Sequence, residues 1–393
     1  MRTLLYATTA LTAAGLIVGA AGDARAQSED EQKIKIEIHG YFQQWGVAAN
    51  QDIDGAAGID FDASPFDQKH NSELCFVGAT QLSSGIEVGI QVQMEANTSE
   101  DQIDESFMYV EGDWGLLQIG DTDNAAYKMA VVAPNGGVTV NDGDLVGISA
   151  FALPDFFAGT STTIDTTPLV LTDDDSGKFN YFTPRYAGFQ LGVSYIPQFE
   201  SGGDNNNSIV RTQTDAGTTG PVQDGVAVGL NYEGEFAGIG VSASGGYLYG
   251  DPSGESGSAD VNGFNGGVLF EISGIEFGGS FTQAYGDVED NRSLRGHAYD
   301  VGIAYSFGPY KVGVTYIRGV SEGDIDDSSD QRLDQVVVSG TYTLGPGVDL
   351  VGGLFYYDAD GEPEVAAANA AAGDGGIQGN DGYGAAAGFK LTF

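Results

Sequence analysis

The chain has 393 residues, of which 56 are acidic and 15 basic, so its formal net charge is −41. This surplus of carboxylates argues against a nucleic-acid partner, because phosphate contacts need lysine and arginine. The single cysteine, Cys75, has no partner for an intramolecular disulfide. The abundance of glycine (61), tyrosine (19) and phenylalanine (21) is typical of a protein built from many β-strands.

The first residues have the features of an export signal. Met1-Arg2 gives a basic start, residues 4–21 form an uncharged apolar run, and Ala24-Arg25-Ala26 is a small-residue cleavage site. We therefore predict a signal peptide at residues 1–26 and one mature barrel domain at residues 27–393; a retained N-terminal helix is the alternative. No later apolar run reaches about 18 residues, so the sequence predicts no transmembrane helix.

Apolar residues then recur at every second position along the chain. Residues 34–39, 86–95, 190–195, 301–307 and 312–316 each alternate apolar side chains with polar or small ones. Each segment predicts a strand with one apolar face. That face would point into the core of a soluble sandwich, or toward lipid in a transmembrane barrel.

The connections between these segments alternate between short and long. The short turns are at residues 82–85, 112–115, 184–188, 233–236, 272–274, 307–309 and 344–347. The long, polar and acidic connections are at residues 49–69, 97–103, 125–175, 199–222, 250–260, 287–293, 320–331 and 358–381. Strict alternation of turn length is typical of outer-membrane barrels, whereas a secreted sandwich does not need it. The sequence therefore predicts an all-β, 16-stranded antiparallel transmembrane β-barrel with both termini on the short-turn side.

The chain ends in an amphipathic strand. Phe389, Leu391 and Phe393 share one face of residues 383–393, while Lys390 and Thr392 share the other. We predict that this strand closes the barrel against residues 34–38, with Phe393 as the closing residue at the periplasmic rim.

Several segments resemble the general porins of Gram-negative bacteria, especially the alphaproteobacterial type. The resemblance spans the mature chain and is carried by residues 36–41, 72–78, 112–120 and 180–195 and by the terminal Phe393. It implies a homotrimer of sixteen-stranded barrels in the outer membrane, with a long third loop folded inward to narrow each pore.

The third long connection, residues 125–175, fits that role. It exceeds ordinary loop lengths, which indicates a functional or internally ordered segment. Residues 152–159 resemble the acidic constriction segment of the family, so Asp142, Asp144 and Asp155 are our candidates for the pore constriction. An ordinary solvated outer loop is the alternative.

Alternation predicts which charged side chains line the lumen. This set comprises Lys33, Lys35, Glu37, His39, Glu73, Glu87, Glu95, Lys311 and Lys390. Many members of the family carry an arginine where this chain has Glu73, and the family's basic residue on the fourth strand is missing at residues 105–107. An acidic lumen concentrates cations and repels anions, so we predict a cation-preferring channel.

The outer loops and strand ends suggest further partners. Arg292, Arg295, Arg318 and Arg332 lie near predicted outer strand ends, where they could bend inward or pair with lipopolysaccharide phosphates; alternation favours the second role for Arg295 and Arg318. Acidic clusters at residues 52–54, 60–62, 173–175 and 324–327 could bind calcium, although none completes the twelve-residue EF-hand spacing; a merely solvated acidic surface is the alternative. No other cofactor is predicted.

The sequence therefore predicts an outer-membrane porin for passive diffusion of small hydrophilic solutes and ions. We expect no enzyme: residues 238–243 match a dinucleotide motif, but they lie inside an alternating strand with no helix to follow. A substrate-selective channel is the main alternative, and a surface enzyme or adhesin is another.

Overall fold

The computed structural model describes residues 34–56, 59–96, 102–139, 151–154, 167–168, 175–199, 222–252, 261–288, 292–293, 295–322, 330–372 and 375–393. The predicted signal peptide and its cleavage site lie outside these residues, so they stay a prediction.

Almost all of the described chain is β-strand. The first eleven strands are β1 (Lys35–Gly55), β2 (Phe66–Gln81), β3 (Glu87–Glu95), β4 (Ile103–Gly112), β5 (Gly115–Asp121), β6 (Gly177–Phe182), β7 (Phe189–Gln198), β8 (Val222–Phe236), β9 (Ile239–Pro252), β10 (Val261–Ile272) and β11 (Ile275–Tyr285). The others are β12 (Asp287–Val288), β13 (Arg292–Ser293), β14 (Gly296–Phe307), β15 (Tyr310–Glu322), β16 (Asp330–Gly345), β17 (Val348–Asp360) and β18 (Ile377–Thr392). Two helices, α1 (Ala125–Lys128) and α2 (Pro363–Ala372), lie in connections, and neither is long and apolar enough to cross a membrane.

Sixteen of these strands form one closed antiparallel barrel, which confirms the predicted fold class. Neighbours along the chain pair in order from β1 to β11 and from β14 to β18, β11 pairs with β14, and β18 returns to β1. The two-residue strands β12 and β13 pair with each other outside the barrel. Closure gives every barrel strand two hydrogen-bonded neighbours, so no strand edge is left open.

The closing pair differs in register from the sequence prediction. Phe393 N donates to Gly40 O at 3.2 Å, Gly40 N donates to Phe393 O at 3.1 Å, and Tyr41 lies opposite Thr392. Ile36 and Ile38 instead lie opposite residues of β2. The predicted closure of the last strand on the first is therefore confirmed, but the pairing begins at residues 40–41 and not at residues 34–38. Alternation specifies the face of a strand but not its offset from the neighbouring strand.

One short turn also lies elsewhere than predicted. Residues 233–236 continue β8 and pair with β9, and the chain reverses at Ala237 and Gly238, with φ of +54° and +82°. Two successive positive φ angles are typical of the tight hairpin turns that match the twist of antiparallel strands.

Several strands extend further into the predicted long connections than the polar composition of those segments indicates. β1 extends to Gly55, and β17 and β18 pair as far as Asp360 and Gly379. The first and last long connections are therefore shorter than predicted. Strand ends that protrude beyond the hydrocarbon layer carry polar residues on both faces, so they look like loops in the sequence.

The outward face of the barrel is apolar and exposed. Ile36 and Leu354 are 75% and 65% exposed. At the short-turn side Tyr305, Phe307, Tyr310 and Tyr342 form a continuous stack, with ring centroids 4.9–5.4 Å apart. An exposed apolar band that ends in aromatic rings is the lipid-facing surface of a membrane barrel.

Candidate functional site: the barrel lumen

The inner face of the first strands carries charged side chains at alternate positions. The Tyr41 hydroxyl donates to Glu73 at 2.7 Å, and Gln93 Nε2 donates to the other carboxylate oxygen of Glu73 at 2.9 Å. Lys35, Glu37 and His39 share the face of Tyr41, and Glu87 and Glu95 share the face of Gln93. The predicted lumen residues of β1–β3 thus lie together on one wall.

The third long connection begins at a buried ion pair on this wall. Glu105 in β4 and Lys128 in α1 are 4% and 7% exposed, and Lys128 Nζ lies 2.8 Å from Glu105 Oε1. Thr122 Oγ1 and Asp123 N donate to the same oxygen at 2.6 and 3.2 Å. Burial alone would lower the pKa of Lys128, but the Glu105 and Asp123 carboxylates outweigh it and raise that pKa. The ammonium is therefore charged and fixes α1 to the wall.

The C-terminal end of the third long connection, where the chain enters β6, is held beside the same ion pair. Lys178 Nζ donates to the backbone oxygen of Thr122, and Asn180 Nδ2 donates to that of Asp123 at 2.8 Å. Both ends of the connection are thereby joined near Glu105.

From α1 the connection runs around the inner wall from β7 to β16. Wall side chains accept from its amides: Ser194 from Ala125 (2.7 Å), Ser244 from Val131 (2.7 Å) and Ser339 from Gly136 (3.1 Å). Other wall side chains donate to its carbonyls: Asn265 to Ala126 (3.2 Å), Asn231 to Met129 (3.1 Å), Thr315 to Pro134 (2.8 Å) and Thr341 to Gly136 (2.8 Å). A loop buried against a wall needs such partners for its backbone groups.

Asp300 in β14 holds two separate parts of the connection. Its carboxylate accepts from Ala133 N at 3.3 Å and from Thr167 Oγ1 at 3.0 Å. The same carboxylate accepts from the backbone and hydroxyl of Ser280 at 2.5 and 2.8 Å. One buried side chain thus ties residues 133 and 167 to the barrel.

An apolar cluster secures the next part of the connection. Val138 and Phe151, with Leu153 beside them, pack on inward side chains of β1 and β15–β18. The ring of Phe151 stacks on Tyr357 at 3.7 Å between centroids, and Ala152 N donates to Gln51 Oε1 at 2.8 Å. The described parts of the connection therefore lie inside the barrel, as the resemblance implied.

The inner wall of β1–β4 is acidic. Glu73 lies directly opposite Glu95 in the register of β2 and β3, and Glu87 lies directly opposite Glu111 in that of β3 and β4. Gln93 Nε2 joins Glu73 to Asp104, at 2.9 Å from each. Like charges directly opposite one another destabilise a sheet, so the wall retains them at a cost in stability.

Three lysines on the inner face lie beside acidic or aromatic groups. Lys311 Nζ lies 3.1 Å from Glu276, Lys69 lies 2.7 Å from Asp67, and Lys390 Nζ lies 5.2 Å from the ring centroid of Tyr41. The two ion pairs reduce the positive potential that Lys311 and Lys69 contribute to the water path.

Some predicted site residues cannot be placed. Lys33, Asp142, Asp144 and Asp155 lie outside the described residues, so their roles stay predictions. Among the residues that are described, Glu105, Asp123 and Asp175 have carboxylate oxygens within 4.8 Å of one another, but Lys128 already supplies a positive charge there. Calcium binding at the outer loops stays a prediction.

The outer arginines lie beside carboxylates of the same barrel. Arg332 lies 3.1 Å from Asp358 and 2.6 Å from Asp360, and Arg318 lies 3.7 Å from Asp334 on the outward face. Arg295 lies 3.9 Å from Glu322, and the side chain of Arg292 lies outside the described part.

Sequence reasoning missed the apolar part of the lumen. Leu350, Leu354 and Tyr356 face outward on β17, yet Val351 and Phe355 between them are buried on the inner face. A strand that is apolar on both faces indicates a second packed layer, and this pattern could have located the wall beneath the connection.

Comparison with known proteins agrees with this architecture. A family profile described as "Gram-negative porin" matches residues 7–362. An anion-selective porin from Comamonas acidovorans superposes with a TM-score of 0.60 at 16% identity, over 92% of this chain and all of that one. OmpT, an outer membrane protein of Vibrio cholerae in its trimer form, superposes with a TM-score of 0.57 at 13% identity, over 92% and 100%. An uncharacterized protein of Rickettsia conorii is 23% identical over 71% of this chain and 75% of its own length.

Proposed function

The chain belongs to the Gram-negative porin family and is an outer-membrane channel protein; from this premise we propose that it passes small hydrophilic solutes passively and prefers cations. The observation that carries the cation preference is the acidic inner wall of β1–β4, with its opposed pairs Glu73–Glu95 and Glu87–Glu111. Negative charges that line a narrow water path in a low-dielectric wall raise the local concentration of cations.

The distribution of positive charge supports the same proposal. The Lys311 and Lys128 ammonium groups lie within 3.1 Å of carboxylates, and Glu73 stands where the family resemblance would imply an arginine. The Comamonas porin, whose fold this chain shares, is described as anion-selective; we propose the opposite preference here because of the acidic wall.

Reversal potentials across planar bilayers in a potassium chloride gradient test the preference. We expect the parent protein to favour potassium, and the double variant Glu73→Gln/Glu95→Gln to shift the reversal potential toward zero. The outward-facing Asp381→Asn is the control, to be compared with each single variant, because it removes one carboxylate that does not line the lumen. Chloride preference in the parent protein would refute the proposal.

The remaining predictions concern assembly and surroundings. We propose a homotrimer, supported by the family and by the trimer form of the Vibrio protein, and a heat-sensitive trimer band on unboiled gels would test it.

We also propose contact with lipopolysaccharide at the outer strand ends. Because Arg332 is already bound by Asp358 and Asp360, divalent cations at these carboxylates are the better bridge to lipid phosphates.

A further inference from the structure

The wall beneath the inward connection has a glycine at almost every strand. These inward glycines are Gly192 in β7, Gly229 in β8, Gly246 in β9, Gly267 in β10, Gly302 in β14 and Gly313 in β15. The first three lie directly opposite one another in consecutive strands. Glycine weakens a strand, and in a sheet it often marks a place where another backbone approaches closely.

Each of these glycines meets the connection itself. A Cβ on Gly229 would lie 2.5 Å from the backbone oxygen of Ala125, and one on Gly313 would lie 2.6 Å from Gly136 N. At Gly267 it would collide with the carbonyl group of Val131, whose carbon lies only 2.8 Å away. The nearest atoms at Gly229, Gly267 and Gly313 belong to the backbone of the connection, so any side chain at these three positions requires the connection to leave the wall.

The polar contacts and the glycines perform separate tasks. Ser194, Ser244, Thr315 and Ser339 fix the position of the connection along the wall through hydrogen bonds. The glycines fix how deeply it lies, because they leave room for its backbone directly on the sheet. Carbon atoms in contact are about 3.5–4.0 Å apart, so one added methyl group displaces the connection by on the order of 1 Å.

We propose that this glycine track, defined by the six residues named above, determines the width of the channel. Every displacement away from the wall carries the connection into the water path. The inference rests on the proposed channel function, but it concerns the size of the path and not its charge.

The chain supplies matched controls for the test. Gly266 and Gly245 are adjacent to track glycines but face outward, and a Cβ there would lie 3.5 and 3.9 Å from its nearest neighbours, which is ordinary contact. Gly267→Ala and Gly246→Ala can therefore be compared with Gly266→Ala and Gly245→Ala, all with the same change of composition. Gly302→Ala, beneath Pro134, provides a third inward variant.

Single-channel conductance, together with swelling of liposomes in uncharged sugars of increasing size, measures the width. We expect the conductance of the inward variants to fall by about 1.5-fold or more, because the displaced connection would occupy part of the water path. These variants should also exclude sugars that the parent protein admits. The outward variants should match the parent protein. Reversal potentials should be the same in all variants, since no charge changes.

Several outcomes would overturn the inference. Inward variants that conduct like their outward neighbours, or conduct more, would show that the track does not limit the path. If all three inward variants fail to assemble while both outward ones form channels, the glycines serve folding and not channel width. If the parent protein and the outward controls do not conduct, the proposed function itself fails, and the inference fails with it.

Discussion

Glu105 and Lys128 show how much of the channel depends on single side chains. The pair is buried, so removing one partner leaves an uncompensated charge, at a cost of about 3–5 kcal/mol. We predict that Glu105→Gln and Lys128→Met each lower the temperature at which the barrel unfolds on heated gels. The double variant should recover most of the loss, because replacing a whole buried pair is often nearly neutral.

The exposed pair of Arg185 and Glu233, 3.1 Å apart, is the control for this prediction. Exposed ion pairs contribute about 0–1 kcal/mol, so Arg185→Met should change the unfolding temperature little. A double variant at Glu105 and Lys128 whose loss equals the sum of the two single losses would show that the pair is not coupled.

At the scale of the elements, Asp300 in β14 holds the inward connection to the barrel wall. Asp300→Ala would leave the amides of Ala133 and Ser280 and the hydroxyl of Thr167 without this acceptor. Hydrogen bonds to charged groups contribute about 1.5–3 kcal/mol each, so the connection should detach intermittently from β14. We predict increased open-channel current noise in this variant. The outward-facing Asp381→Ala should be as quiet as the parent protein, and equal noise in both variants would contradict the role of Asp300.

The elements also show what the sequence could and could not predict. Alternation and turn length were enough for the sixteen strands, because each strand has one lipid-facing side. Alternation and turn length failed where pairing with a neighbouring strand sets the end of a strand. Residues 233–236, predicted as a turn, extend β8 because β9 pairs with them. The resemblance implied that the connection lies inside the barrel, but its path along the wall could not be predicted, because Gly267 looks like any strand glycine until Val131, far away in the chain, lies on it. The acidic wall was foreseen through Glu73, Glu87 and Glu95, but the apolar wall beneath Phe151 was not.

At the scale of the whole molecule, barrel closure depends on the pairing of the two chain ends. Phe393 exchanges two backbone hydrogen bonds with Gly40, and the rest of β18 pairs with β1 as far as Gly55. The side chain of Phe393 is 57% exposed, so it adds little to packing within one barrel. Its aromatic ring lies at the rim, where such residues anchor a barrel at the membrane interface.

We therefore predict that deletion of Phe393 lowers the amount of folded barrel in the outer membrane, whereas the molecules that do assemble keep their conductance. The outward face of β18 explains why conductance is kept: Phe393 shares this exposed face with Phe389 and Leu391, so its deletion removes no side chain from the lumen. Phe393→Trp is the matched control, because it retains both backbone hydrogen bonds and an interfacial aromatic ring, so it should assemble at the parent level. Quantification of heat-modifiable barrel in isolated outer membranes, followed by bilayer recording of the purified variants, separates the two effects. Parent levels of barrel after deletion would show that β18 closes the molecule without its last residue.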